Sequence, residues 1–403
     1  MEKRTILPEA HRVSLFLMSF FLIYGSTHAY AFVKARAALG FGTGTALWVV
    51  PLLAVLMCAP IVTHLLERNG MEGAARVSAY VGYVWMGVLF LFISLNLLSD
   101  LVNLLLRAGA AVAGNGEGWG SPANGRKTFL FITCLSLALG AYAALEASRI
   151  DVVRVRIATD RLPPSVPRVR IAQITDVHLG IINRNGMARA IADRLRAEQP
   201  DILVSTGDFV DGQIGHIDGL SEIFRGIPAP RGKFAVLGNH EYYAGLPQSL
   251  SFHRHAGFTV LRGEAVTVDN ALRIAGVDDP TARAFGGPPE PSEAELLGGG
   301  PPKQFTVLLK HRPAADPASY GRFDLQLSGH THHGQIFPFR LLTRLAYPLL
   351  GGDHPLPGGG TLHVSRGTGT WGPPMRFLAP PEITIVDIER APAGQAPREP
   401  GTR

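Results

Sequence analysis

Asp176, His178, Asp208, Asn239, His240, His311, His330 and His332 each stand shortly after a run of β-forming apolar residues. Open α/β sheets gather their sites at the carboxyl ends of strands, so these side chains are expected to converge. Carboxylate and amide oxygens mixed with neutral imidazoles suit Mn, Fe or Zn, and one carboxylate can bridge two ions. Taken singly, each residue has a plainer explanation: an Asp after a strand often caps a helix, and a lone His is more often a hydrogen-bonded structural group. The joint pattern outweighs those explanations. Gly207, Gly238 and Gly329 come just before candidate ligands, where glycine lets the backbone turn sharply.

The elements that must position these groups are short. Val169–Thr175, Ile202–Thr206, Phe234–Leu237, Leu272–Val277, Phe305–Leu309 and Leu325–Ser328 read as buried strands, each ending in a polar or Gly-containing turn. Between the first two, Met187, Ile191 and Leu195 recur at helical spacing. Strands alternating with helices predict an α/β domain. Thr361–Val364 and Glu382–Ile388 are expected to close the sheet edge, Ala282–Pro302 to be a surface excursion, and Ala391–Arg403 to be a disordered tail.

The 403 residues divide into unlike parts: residues 1–148 a transmembrane region, 149–390 the catalytic domain and 391–403 the tail. Four stretches approach or exceed the ~20 residues that cross ~30 Å of hydrocarbon. They are Val13–Val33, Ala46–Leu66, Ala79–Leu98 and Thr128–Leu145, with Pro51 and Pro60 implying a kink or a loosened turn in the second. His28, His64, Asn96 and Asp100 are polar groups at or near membrane depth, too scattered for an ion pathway. Lys3, Arg4, Arg12, Arg68, Arg76, Arg149, Arg154, Arg156 and Arg161 on one side outnumber Lys34, Arg36, Arg107, Arg126 and Lys127 on the other, which favours a cytoplasmic catalytic domain. Cys58 and Cys134 both sit in apolar runs, so no disulfide framework is expected. The net charge of +6 comes from scattered arginines without interleaved aromatics, so no nucleic-acid partner is expected.

The blocks Asp176-Val177-His178, Gly207-Asp208, Gly238-Asn239-His240-Glu241, His311 and Gly329-His330-Thr331-His332, in that order, resemble the calcineurin-like metallophosphoesterases. His333-Gly334-Gln335, Gly276-Val277-Asp278-Asp279, Arg366-Gly367 and Pro381-Glu382 resemble a bacterial membrane-linked or exported branch of that family. His333, where that branch often has Gly, and Lys310 before His311 depart from its pattern without removing a ligand. The resemblance implies an α/β/β/α sandwich and two divalent metal ions. By its motifs Asp176, His178 and His332 hold one ion, Asn239, His311 and His330 the other, and Asp208 bridges them. Two ions ~3.5–4 Å apart make hydroxide available near neutral pH and clamp phosphoryl oxygens. His240 is left to stabilise phosphoryl charge or to protonate the leaving oxygen. Glu241 would either orient His240 or cap a helix.

The implied function is hydrolysis of a phosphomonoester or phosphodiester by a multi-pass membrane protein, with the bacterial inner membrane as the expected site and a lipid-linked substrate suggested by the anchor alone. A non-catalytic phospho-ligand sensor or transport accessory is the alternative, opposed by the presence of both Asp208 and His240. The pocket wall is expected from Gly180–Asn185, His216, Tyr242, Tyr243 and Leu341–Pro357.

Overall fold

The computed structural model describes residues 9–113, 125–212, 219–287, 290–298 and 304–391. His216 and the tail beyond residue 391 lie outside the described residues. Two compact units are present, Met1–Asn69 with Gly73–Tyr142, and Gly70–Glu72 with Ala143–Arg403.

The first unit is helical, built on α1 (Glu9–Leu39), α2 (Thr43–Arg68), α3 (Glu72–Val112) and the start of α4 (Arg126–Ala147). Among the described residues α2, α3 and α4 are long and apolar enough to cross a membrane. The first expected span lies in α1, which is helical but is not among those three. α2 continues through Pro51 and Pro60 as one helix. The polar groups have local partners: Trp85 Nε1 donates to His28 Nε2 at 2.9 Å, Tyr30 Oη donates to Asp100 at 2.7 Å, and Lys34 pairs with the same carboxylate. Such pairing accounts for their presence without a transport path.

The second unit contains β1 (Asp151–Thr159), β2 (Arg168–Ile174), α5 (Asn185–Glu198), β3 (Ile202–Thr206), α6 (Leu220–Arg225), β4 (Lys233–Val236), α7 (Asn239–Ala244), α8 (Leu246–His255) and β5 (Thr259–Val260). There follow β6 (Glu264–Val268), β7 (Leu272–Gly276), α9 (Glu293–Gly298), β8 (Phe305–Leu309), β9 (Leu325–Ser328), α10 (Phe339–Ala346), β10 (Gly352–Pro355), β11 (Thr361–Val364) and β12 (Glu382–Arg390). They form two mixed six-stranded sheets, ordered β1-β12-β2-β3-β4-β5 and β10-β11-β9-β8-β7-β6.

Side chains alternate between the faces of a strand, and the core divides accordingly. Ile171, Ile202 and Val204 of one sheet meet Ile274, Val307 and Leu327 of the other. Their neighbours Ala172, Ile174 and Leu203 instead pack beneath Ile191 and Leu195 of α5, Phe224 of α6 and Phe252 of α8. On the far face of the second sheet Leu297 of α9 packs with Ala275 and Leu308. The layers therefore run helices, sheet, sheet and a short helix. The Ala282–Pro302 stretch is thus not wholly a surface excursion, because its one buried leucine closes a small core.

The runs at Thr361–Val364 and Glu382–Ile388 do not close the sheet edges. β12 lies between β1 and β2, parallel to the first and antiparallel to the second, and β11 lies between β9 and β10. The flanking strands β1 and β10 carry charged or polar residues on their exposed sides, as edge strands do, which hides them from an apolar-run reading.

Candidate metal centre

The site is assembled from loops after five strands, three in one sheet and two in the other. Asp176 and His178 follow β2, Asp208 and Asp211 follow β3, Asn239 and His240 follow β4, His311 follows β8, and His330 and His332 follow β9. Packing sets these loops firmly. Phe209, next to Asp208, is fully buried and edge-on to Phe224 and Phe252, with ring centroids 4.7 and 5.4 Å away. Truncating a phenylalanine so placed costs about 3–5 kcal/mol.

The backbone is bent where the side chains converge. Asp176, His178, Asp208, His330 and His332 all have positive φ, between 47° and 71°. Left-handed backbone costs a non-glycine residue roughly 1 kcal/mol or more, and clusters of it occur where a site over-determines the chain. Of the three glycines, only Gly207 is used for its turn, at φ 96°. Gly329 serves close approach instead, since a Cβ there would stand 2.2 Å from Asp176 Oδ2.

Three groups of side chains lie close enough to share an ion, Asp176 with His178 and His332, Asp208 with His311 and His330, and His178 with Asp208 and His240. In the first, the Nε2 atoms of His178 and His332 are 3.0 Å apart, and His332 Nε2 is 3.5 Å from Asp176 Oδ1. In the second, His330 Nδ1 is 3.1 Å from His311 Nε2, which is 3.2 Å from Asp208 Oδ2. That same Asp208 oxygen is 3.8 Å from His178 Nε2, so its carboxylate stands between the groups.

Hydrogen bonds fix which nitrogen is available for a cation. His311 Nδ1 donates to Thr206 O at 2.8 Å and His330 Nε2 lies 2.9 Å from Tyr347 Oη, so the nitrogens left for a cation are His311 Nε2 and His330 Nδ1. Asn239 Oδ1 is buried without a partner, the state of an oxygen built to ligate. His332 differs: Arg376, fully buried, approaches its Nδ1 at 3.1 Å and its carbonyl at 3.0 Å. A donor on Nδ1 keeps the proton of a neutral ring on Nε2, so ligation through Nε2 requires Arg376 to release Nδ1.

The electrostatics also fit a cation. Burial first, and Asp208 further down the order of causes, push Asp176 up to about 6, with His311 acting in opposition. Burial works against a charge on His311, yet Asp208 and Asp176 lift it to about 10. Burial and the neighbouring imidazoles press His178 down to about 4 and His330 to about 3. Two carboxylates and four imidazoles share a volume from which water is largely excluded, and added positive charge relieves the carboxylate repulsion.

The calcineurin-like phosphoesterase family model matches residues 169–334. An uncharacterized metallophosphoesterase of Aquifex aeolicus is 43% identical over 257 residues, covering 63% of this chain and 98% of that protein. The chain belongs to the calcineurin-like metallophosphoesterases. This metallophosphoesterase is accordingly a metal-dependent phosphoester hydrolase. A transmembrane protein with metallophosphoesterase domain from Danio rerio is 30% identical, covering 75% of this chain and 70% of that one. An uncharacterized metallophosphoesterase from Helicobacter pylori is 34% identical, covering 62% and 66%.

In the metal-competent cluster of the phosphoesterase, His240 and Glu241 part company. His240 Nδ1 lies 2.8 Å from Asp211 Oδ1 and its ring packs edge-on to His178. Burial opposes its charge, but Asp208 and Asp211 outweigh burial and lift it to about 9. Glu241 does not orient it. Its buried carboxylate accepts the amides of Asp208, Phe209 and Gly238 at 2.9, 2.6 and 2.7 Å, tying the loops after β3 and β4 together. Of the two roles expected for Glu241, the geometry fits the helix cap, since Gly238 is the N-cap of α7 and the carboxylate is committed to backbone amides. Asp211 is the residue that sequence reasoning missed; three residues after Asp208, it needs only the loop to turn back.

The expected pocket wall is partly right. Tyr243 is exposed beside His240, with ring centroids 5.4 Å apart, and Tyr347 reaches His330. Tyr242 is buried and donates to Asp278 at 2.7 Å, so it is core. Asn183 also turns inward, donating to Val177 O and Thr370 O.

Proposed function

We propose that this chain is a membrane-anchored binuclear phosphoesterase cleaving a phosphomonoester or phosphodiester presented at a bilayer. Asp176, His178 and His332 would hold one divalent ion and Asn239, His311 and His330 the other, with Asp208 shared; Mn, Fe and Zn all suit this donor set. Bound there, the ions supply hydroxide near neutral pH and neutralise phosphoryl charge. The observation carrying this reading is the Asp208 oxygen 3.2 Å from His311 Nε2 and 3.8 Å from His178 Nε2, one carboxylate within reach of both groups.

His240 offers its Nε2 to the leaving oxygen while Asp211 holds Nδ1. With Nδ1 held by a carboxylate, the ring is placed to deliver a proton from Nε2. Residues 1–148 are read as four spans, 149–390 as the catalytic domain and 391–403 as a tail. The Lys/Arg balance favours a catalytic domain on the cytoplasmic side, and the membrane is read as a bacterial inner membrane. The lipid-linked character of the substrate rests on that anchor.

The test compares His240→Ala with His311→Ala by metal analysis and by rates on nitrophenyl and alkyl phosphoesters. His240→Ala is expected to keep its metal and to lose the alkyl ester more than the nitrophenyl ester, whose phenolate scarcely needs a proton. His311→Ala is expected to lose metal and both activities. Metal loss in His240→Ala would make that residue a ligand and redraw the assignment. Equal slowing of both esters would move His240 to stabilising phosphoryl charge.

A further inference from the structure

Helix α10 is built the wrong way round for a soluble domain. At 100° per residue, Phe339, Leu341, Leu342, Leu345 and Ala346 fall on one arc, and Arg340, Thr343 and Arg344 on the other. A surface helix ordinarily buries its apolar arc. Here the apolar arc faces out: Phe339 is 49%, Leu341 58%, Leu342 59% and Leu345 81% exposed, and no residue of the helix is buried. The polar arc faces the protein instead. Arg340 Nη1 lies 3.1 Å from His333 Nε2, and its backbone presses on Gly334 so closely that a Cβ there would stand 2.4 Å from Arg340 Cα.

The apolar surface continues toward the site. Gln335, four residues before α10, exchanges hydrogen bonds with Trp371, and Phe337 N donates to Phe377 O at 3.1 Å. Trp371 is 55% and Leu378 54% exposed, and the Trp371 ring centroid is 5.7 Å from that of His240. An exposed apolar patch joining a leucine-rich helix to the mouth of a catalytic site marks an interaction surface.

We propose that α10 is an interfacial helix that docks on the surface of the bilayer, laying Phe339, Leu341, Leu342 and Leu345 into the boundary between headgroups and acyl chains. The occupant follows from the chain itself. It carries three helices fit to cross a membrane, and only Ser148, Arg149 and Ile150 separate α4 from β1. A helix with an outward apolar arc and cations on the opposite arc is the form that lies in an interface, its apolar face about 5–10 Å below the headgroups. Exposed Arg344 can extend its guanidinium back to anionic headgroups. The ends of α10 are tied to the site, at His332–Gly334 before it and at Tyr347 after it, so docking presents the phosphoesterase to phosphate groups at the membrane surface. The inference goes beyond the catalytic reading and does not need turnover to be tested.

The experiment uses the full chain with Cys58→Ser and Cys134→Ser, carrying a spin label at Leu345→Cys or, as control, at Asp193→Cys, whose native side chain is 74% exposed. Each is placed one chain per nanodisc of phosphatidylcholine and phosphatidylglycerol, and collisions with oxygen and with a water-soluble nickel chelate are measured. The label at position 345 is expected to favour oxygen severalfold over the label at 193. Equal access of nickel to both positions overturns the proposal. Protection at 345 that arises only when two chains share a disc assigns the face to a second copy and overturns it as well. Neither result touches the metal assignment, which is read from metal content and rates.

Discussion

Asp211 Oδ1 and His240 Nδ1 are 2.8 Å apart, and this contact orients an imidazole that the proposed metal assignment leaves free. The carboxylate accepts the hydrogen bond from Nδ1–H, fixes the ring and supports its charge. Asp211→Asn is expected to retain metal and to lower kcat on an alkyl phosphoester by about 100-fold, the lower range for losing an effective proton donor. Nitrophenyl esters should be spared. Metal analysis with paired rate measurements decides, and equal loss on both esters would remove Asp211 from proton donation.

Gly329 has no room for a side chain. Its added Cβ would stand 2.2 Å from both Asp176 Oδ2 and Thr175 Oγ1. Gly329→Ala is expected to displace Asp176 and to lower metal content by about one ion per chain, with the sheet core intact by circular dichroism. Full metal content would show that the loop yields without moving the carboxylate.

Glu241 holds four backbone amides of the site loops, those of Asp208, Phe209, Val210 and Gly238, in a dry setting. An amide in its place offers one acceptor oxygen and turns a donor toward donors. Glu241→Gln is therefore expected to destabilise the protein by about 2–4 kcal/mol, the scale for breaking a buried charged network. Thermal melting of the metal-free protein measures it, and an unchanged midpoint would refute the structural role.

Tyr347 Oη is hydrogen-bonded to His330 Nε2 at 2.9 Å. Removing such a partner loosens the ring and costs about 10-fold or more in metal affinity. Tyr347→Phe should show that loss in metal titrations while melting normally without metal. Unaltered affinity would mean that His311 and Asp208 hold His330 sufficiently by themselves.

Most of the site was legible because its residues stand directly after strands whose interiors are continuous apolar runs. Ile202–Thr206 and Phe305–Leu309 are buried at every position and needed no partner to be recognised. What escaped depends on the loops' three-dimensional course. Asp211 resembles any turn aspartate until the chain after Asp208 folds it against His240. For Glu241 the cap of α7 was legible, but its reach to the amides of Asp208 and Phe209 on another loop was not. Arg376, far along the chain and fully buried, returns to His332 through a segment without regular structure. The strands β1 and β10 were hidden for a different reason, since alternating charge in Asp151–Thr159 is also what a solvent-exposed linker looks like.

The placement of β12 between β1 and β2 sets an order of assembly. Asp387 pairs in register with both Arg156 and Arg170, so the first sheet has a gap until residues 382–390 emerge from the ribosome. Contacts spanning more than 200 residues are slow to form and leave unpaired strand edges meanwhile. The apolar helices, by contrast, are complete some 230 residues earlier and can enter the bilayer during synthesis. The chain is therefore tethered before its metal-binding loops have a finished sheet to stand on.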